Sequence, residues 1–143
     1  MTYGEWEGEL PDTIRLDPIW RTKAYRLALF LTELARLDGS RIQQRAELQA
    51  VLPQLYLSLG SIGANIAEGY SRMTGRDRAR FFEYALGSAR EARHWYFAVR
   101  GAISAAELHD RLQLLDETIR LLVAMVTRQR SARPVRGPEA SRP

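Results

Sequence analysis

The chain has 143 residues, 45% hydrophobic and 27% charged, with no cysteine. That fits one ordinary globular domain and excludes a disulfide framework or a thiolate metal cage. Its 21 basic residues (20 Arg and Lys23) exceed 17 acidic ones for a net charge of +4, an excess that suits phosphate-bearing partners but also follows from an arginine-biased coding sequence.

The opening Met1-Thr2-Tyr3-Gly4-Glu5-Trp6-Glu7 is acidic and lacks an apolar core, so the expectation is a cytoplasmic protein without a secretory leader. The longest apolar runs, Leu27 to Leu31 and Leu121 to Val126, fall far short of the ~20 residues of a membrane helix. Charge is uneven. Residues 1–17 carry five acids against Arg15, whereas 128–143 carry five arginines against Glu139.

Residues 1–16 read as a loosely attached acidic arm in which Trp6, Leu10 and Ile14 could dock. Asp17-Pro18 is a cap followed by proline, which opens the first predicted helix. Its apolar positions Trp20, Ala24, Leu27, Leu31 and Leu34 repeat at helical steps, and Asp38-Gly39 marks its end. The second helix carries the seam Leu48, Leu52, Leu55, Leu59, Ile62 and Ile66, where Pro53 must kink the helix or begin its main segment. Gly69 to Gly75 breaks the chain. Thr74 with Asp77 opens the third helix, whose seam is Phe81, Ala85, Ser88, Ala92, Trp95 and Val99. Ser104 with Glu107 forms a capping box before the fourth, with Leu108, Leu112, Leu115, Ile119, Leu122 and Val126. Residues 131–143 lack periodicity and hold three prolines, and they read as a disordered Arg/Pro-rich tail.

No stretch alternates with period two, so the class is all-α. Four amphipathic helices on short turns predict an antiparallel up-and-down four-helix bundle over residues 17–130. Apolar groups exceed one stripe per helix. Tyr25, Leu29 and Phe30 lie off the first seam, and Phe82, Tyr96 and Phe97 widen the third, which predicts self-association.

The second helix also has a line of small residues, Gly60, Gly63 and Ala67 beside Tyr56, where close approach of another backbone is expected. A polar line, Gln54, Ser58, Ser61, Asn65 and Glu68, follows a third face. Its serines favour a buried hydrogen-bond network, because solvated helix faces are usually Glu, Lys and Arg.

Gln54 followed by Ser61-Ile62-Gly63-Ala64-Asn65-Ile66-Ala67-Glu68-Gly69 resembles the S-I-x-A-N-I-A-E-G signature of the 23S rRNA-intervening sequence protein family. Ala85, Gly87, Ser88 and Glu91 resemble its second block, A-x-G-S-x-x-E. The resemblance spans roughly residues 20–127. It departs at Gly63, where proline is common, and at Tyr56 and Leu57, where basic residues are common. It implies an up-and-down four-helix bundle assembled as a homopentamer, with no established enzymatic activity. A more distant likeness is to the accessory protein of diversity-generating retroelements, a basic pentamer that binds nucleic acid and a reverse transcriptase.

No catalytic constellation, cofactor or metal site is expected. Glu91 and His94 have di-iron spacing, but the other histidine, His109, has Glu107 two residues before it rather than three. Gln54, Ser61, Asn65, Glu68, Ser88 and Glu91 form the expected structural polar network. Arg72, Arg76, Arg78, Arg80, Arg90, Arg93 and Arg100 form the candidate nucleic-acid surface, binding RNA or DNA without sequence preference. The competing expectation is a scaffold for a protein partner such as a reverse transcriptase. There Trp95, Tyr96 and Phe97 would matter more, with Trp95 itself read as core.

Overall fold

A computed structural model describes residues 1–131. The tail expected beyond Ser131 lies outside the described residues. Helices α1 (Tyr3–Glu9) and α2 (Asp12–Arg15) and a 3-10 turn (Pro18–Arg21) precede α3 (Lys23–Gln43), α4 (Val51–Tyr70), α5 (Gly75–Ala98) and α6 (Ala105–Ser131). Among the described residues there is no strand, and no helix is long and apolar enough to cross a membrane.

Each long helix packs on the next across a short link, and α6 returns against α3. The core between them holds Leu31, Leu55, Leu59, Ile62, Ile66, Leu115 and Leu122, all inaccessible to solvent. Opposite them α5 contributes Ala85, Ala89 and Ala92, also fully buried. Three alanines on one face let neighbouring helix axes come close.

The helix starts follow local chemistry. Asp17 caps the 3-10 turn, accepting from the Ile19 N–H at 2.9 Å, so α3 proper begins later than expected, at Lys23. Pro53 sits in the first turn of α4, where its missing N–H has no intrahelical partner to lose. Thr74 accepts from the Asp77 N–H at 3.2 Å to start α5. Ser104 and Glu107 complete the capping box of α6 reciprocally, at 3.1 and 2.9 Å.

Several expectations change. The N-terminal arm is not loose. Thr2 and Glu5 form a capping box on α1, which sets Trp6 against Phe30 and Leu34, all three buried. Leu10 and Trp20 join this second apolar cluster, and Ile14 is half-buried. Helix α3 does not end at Asp38-Gly39 but runs to Gln43, and α4 continues through Gly69. Gly39 sits beneath the Tyr56 ring, where a Cβ would lie 1.9 Å from the phenol oxygen. The close backbone approach expected at Gly60 and Gly63 is absent, since a Cβ at Gly60 would meet open space and one at Gly63 would make only ordinary contact, 3.8 Å from the Ala28 Cβ. On α5 the buried line is Phe82, Ala85, Ala89, Ala92 and Tyr96, continued by Val99 just past its end. Trp95 is only half-buried, and Tyr96 takes the central place.

Candidate functional site

The seven arginines do not form one continuous patch. Arg76, Arg80 and Arg90 are exposed and share the outer face of α5, separated by about one and then almost three turns. Tyr84 and Phe97, 53% and 55% exposed, lie on the same outer side, so rings and guanidinium groups interleave over about 32 Å of helix. Glu83 and Glu91 dilute the charge there.

The other four are engaged. Arg72 pairs with Glu68 at 2.5 Å and lies over the Phe81 ring, as does Arg80. Arg78 donates its Nε to the Arg72 carbonyl at 2.7 Å and turns into a groove at the end of the molecule. Arg93 reaches across to Asp116 of α6 at 2.7 Å. Arg100 folds back over Phe97 and donates to its carbonyl at 3.1 Å.

Half of the expected polar network assembles. Ser88 of α5 donates to Ser61 of α4 at 2.9 Å, and the Asn65 amide donates to the Ser61 hydroxyl at 3.0 Å and carbonyl at 2.9 Å. All three are half-buried. Glu68 instead faces solvent with Arg72, Glu91 accepts from the Trp95 indole at 3.1 Å, and Gln54 is exposed. Asn65→Ala should therefore lose about 1 kcal/mol of stability, whereas Glu68→Ala should change it by less than about 0.5 kcal/mol. Urea melts of the two variants at one protein concentration check this contrast. Equal losses would return Glu68 to the network.

The main buried polar centre lies elsewhere and was missed. Asp38 of α3 is fully buried, and each of its oxygens has partners. Arg111 of α6 donates to both oxygens at 3.0 Å, Tyr96 of α5 donates its hydroxyl at 3.1 Å, and Arg41 donates at 2.9 Å. Arg41 also clamps Glu107 at 2.8 and 3.0 Å. The Arg41 guanidinium and the Ser104 N–H together hold the Glu107 carboxyl at about 2. The signal was present in the sequence. Asp38 continues the seam Leu27, Leu31, Leu34 at the next four-residue step, so a carboxylate stood on the core face.

Burial first, then the Asp38 charge and hydrogen bond, push the Tyr96 phenol far above its ordinary value of 10. A raised value of this kind leaves stability intact below pH 10 and erodes it as pH rises further, because the unfolded phenol ionises first. Stability should accordingly fall from about pH 10 upward, and Tyr96→Phe should flatten that alkaline limb in denaturant titrations. An unchanged limb in the variant would assign the loss to other groups.

Among the described residues, no group of three or more His, Asp or Glu side chains could hold a metal ion. His94 packs its ring edge against Trp95, the residue that also occupies Glu91.

The family described as 23S rRNA-intervening sequence protein matches residues 20–124. A crystal structure of a protein with unknown function from the S23 ribosomal protein family of Bacteroides thetaiotaomicron shares the fold. Its TM-score is 0.64 at 20% sequence identity, covering 72% of this chain and 97% of that one. No curated protein matches the sequence.

Proposed function

Because the chain belongs to the 23S rRNA-intervening sequence protein family, we propose that it is a non-enzymatic up-and-down four-helix bundle that assembles as a homopentamer in the cytoplasm. Its repeated arginines bind RNA or DNA without sequence preference. The observation that carries this reading is the outer face of α5, where Arg76, Arg80 and Arg90 interleave with exposed Tyr84 and Phe97. Guanidinium groups follow a phosphate backbone while rings stack on unpaired bases, each stack being worth about 1–3 kcal/mol. This favours single strands. One face carries little net charge, so affinity depends on repetition around an assembly, which converts weak contacts into avidity.

Fluorescence anisotropy with single-stranded RNA and DNA tests the proposal. Three phosphate contacts per subunit give a log–log salt slope of about −2, steeper where several subunits engage one strand. The combined variant Arg76→Gln, Arg80→Gln, Arg90→Gln should flatten that slope and weaken binding to all sequences alike. Absence of any signal at low ionic strength would refute nucleic-acid binding. Sedimentation velocity tests the assembly, and a monomer at micromolar concentration would remove the avidity argument as well.

A second reading is supported by Leu57 and Met73, apolar side chains that are 69% and 91% exposed. It makes the assembly a scaffold for a protein partner such as a reverse transcriptase. That reading expects the triple arginine variant to leave function intact and Leu57→Asp to abolish it.

A further inference from the structure

A groove of about 650 Å³ opens where the start of α3, the end of α4, the start of α5 and the end of α6 meet. Arg21, Lys23, Arg78 and Arg128 line it, and among the described residues no carboxylate does. Elsewhere Arg36, Arg41, Arg45, Arg93, Arg111 and Arg130 each pair with a carboxylate. Within the groove Lys23 reaches Glu117 and Arg78 holds the Arg72 carbonyl, but Arg21 and Arg128 make no side-chain hydrogen bond or ion pair among the described residues. The floor is apolar, formed by Phe82, Leu121 and Met125. Like charges gathered over an apolar floor repel one another, and a bound anion relieves that repulsion.

We infer that this groove binds a small organic phosphate, a monoester whose phosphoryl group lies among Arg21, Arg78 and Arg128 and whose ring or alkyl body rests on Phe82, Leu121 and Met125. Guanidinium forks match phosphate oxygens in pairs, which favours a phosphoryl head over a carboxylate. The size and mixed lining are those of small-molecule sites, which are mostly apolar with a few placed polar groups. The site is separate from the outer face of α5 and goes beyond the nucleic-acid reading. Of the sequence's arginine candidates, only Arg78 belongs to it.

The same head-and-ring chemistry occurs in a free ester and at the phosphorylated end of a strand. Calorimetric titration of the full chain therefore uses phenyl phosphate, inorganic phosphate, benzyl alcohol, and one short oligonucleotide with and without a 5′-phosphate. Phenyl phosphate should bind at least about tenfold more tightly than inorganic phosphate or benzyl alcohol. Arg21→Gln with Arg128→Gln should lose at least about tenfold of that affinity, and the substitutions Arg76→Gln, Arg80→Gln, Arg90→Gln should leave it unchanged. Ala124→Glu, at an exposed position on the groove wall, should lose it too by charge repulsion. A preference for the 5′-phosphorylated oligonucleotide that vanishes in the groove variants identifies the strand end as a source, while equal binding of both forms leaves the free ester. No binding of phenyl phosphate at millimolar concentration overturns the site, as does equal loss in the groove and outer-face variants. Oligonucleotide affinity that survives the groove variants keeps the outer-face reading separate from this outcome.

Discussion

Asp38→Ala should cost about 3–5 kcal/mol of folding stability, a large share of the roughly 5–15 kcal/mol typical of a domain. The reason is the group left behind. Arg111 is 11% exposed in its side chain and directs two N–H groups at the Asp38 carboxylate, at 3.0 Å each. Without that carboxylate the guanidinium is buried with neither of its two acceptors, and the Tyr96 hydroxyl loses its own. Two charges removed together behave differently. Replacing a buried ion pair by apolar residues of similar volume is often neutral or stabilising, so Asp38→Leu with Arg111→Met should recover most of the loss. Urea denaturation followed by far-UV circular dichroism, at one protein concentration, reads both outcomes. A loss below about 1 kcal/mol for Asp38→Ala would mean that water reaches the carboxylate and that the clamp is not dry.

Gly69→Ala should destabilise by about 2 kcal/mol, although alanine is the better helix former by about 1 kcal/mol. A Cβ at Gly69 would lie 2.7 and 2.9 Å from the Phe82 ring and 3.0 Å from the Phe81 Cβ. The Phe82 ring is 4% exposed within the core and cannot swing aside, so α4 and α5 must part at the turn that joins them. Pairing Gly69→Ala with Phe82→Leu should restore part of the stability, because the smaller side chain vacates the space the new methyl needs. Thermal melts of the single and double variants test this. A neutral Gly69→Ala would show that the α4–α5 junction yields freely.

The two predictions mark where the sequence was legible and where it was not. Leu52, Leu55, Leu59, Ile62 and Ile66 were readable as the inner face of α4, because a spacing of four and three places them on one side of any helix. The caps at Thr74 and Ser104 were equally readable, since their partners are three residues away. Gly69 and Asp38 were misread for the same reason: glycine and aspartate are commonest at helix ends, and each here serves a contact with another helix. Such contacts join residues far apart in the chain, such as Asp38 and Arg111, and no local pattern announces them. On α5 two adjacent lines satisfied the helical spacing. Tyr96 was drawn inward and Trp95 was not because Asp38 supplies the phenol with an acceptor. Among the arginines, composition indicated an excess, but only the folded arrangement separates Arg76, Arg80 and Arg90 from those paired with carboxylates.

The docked N-terminal helix gives the exterior a front and a back. Trp6 covers Phe30 and Leu34 on α3, with Tyr3 and Leu10 closing over them beside Leu114 of α6. The aromatic rings left bare, Tyr56, Tyr70, Tyr84 and Phe97, all belong to α4 or α5. Helix α1 precedes the residues matched by the family, which begin at 20. A shortened chain lacking it would add Phe30 and Leu34 to that exposed apolar surface.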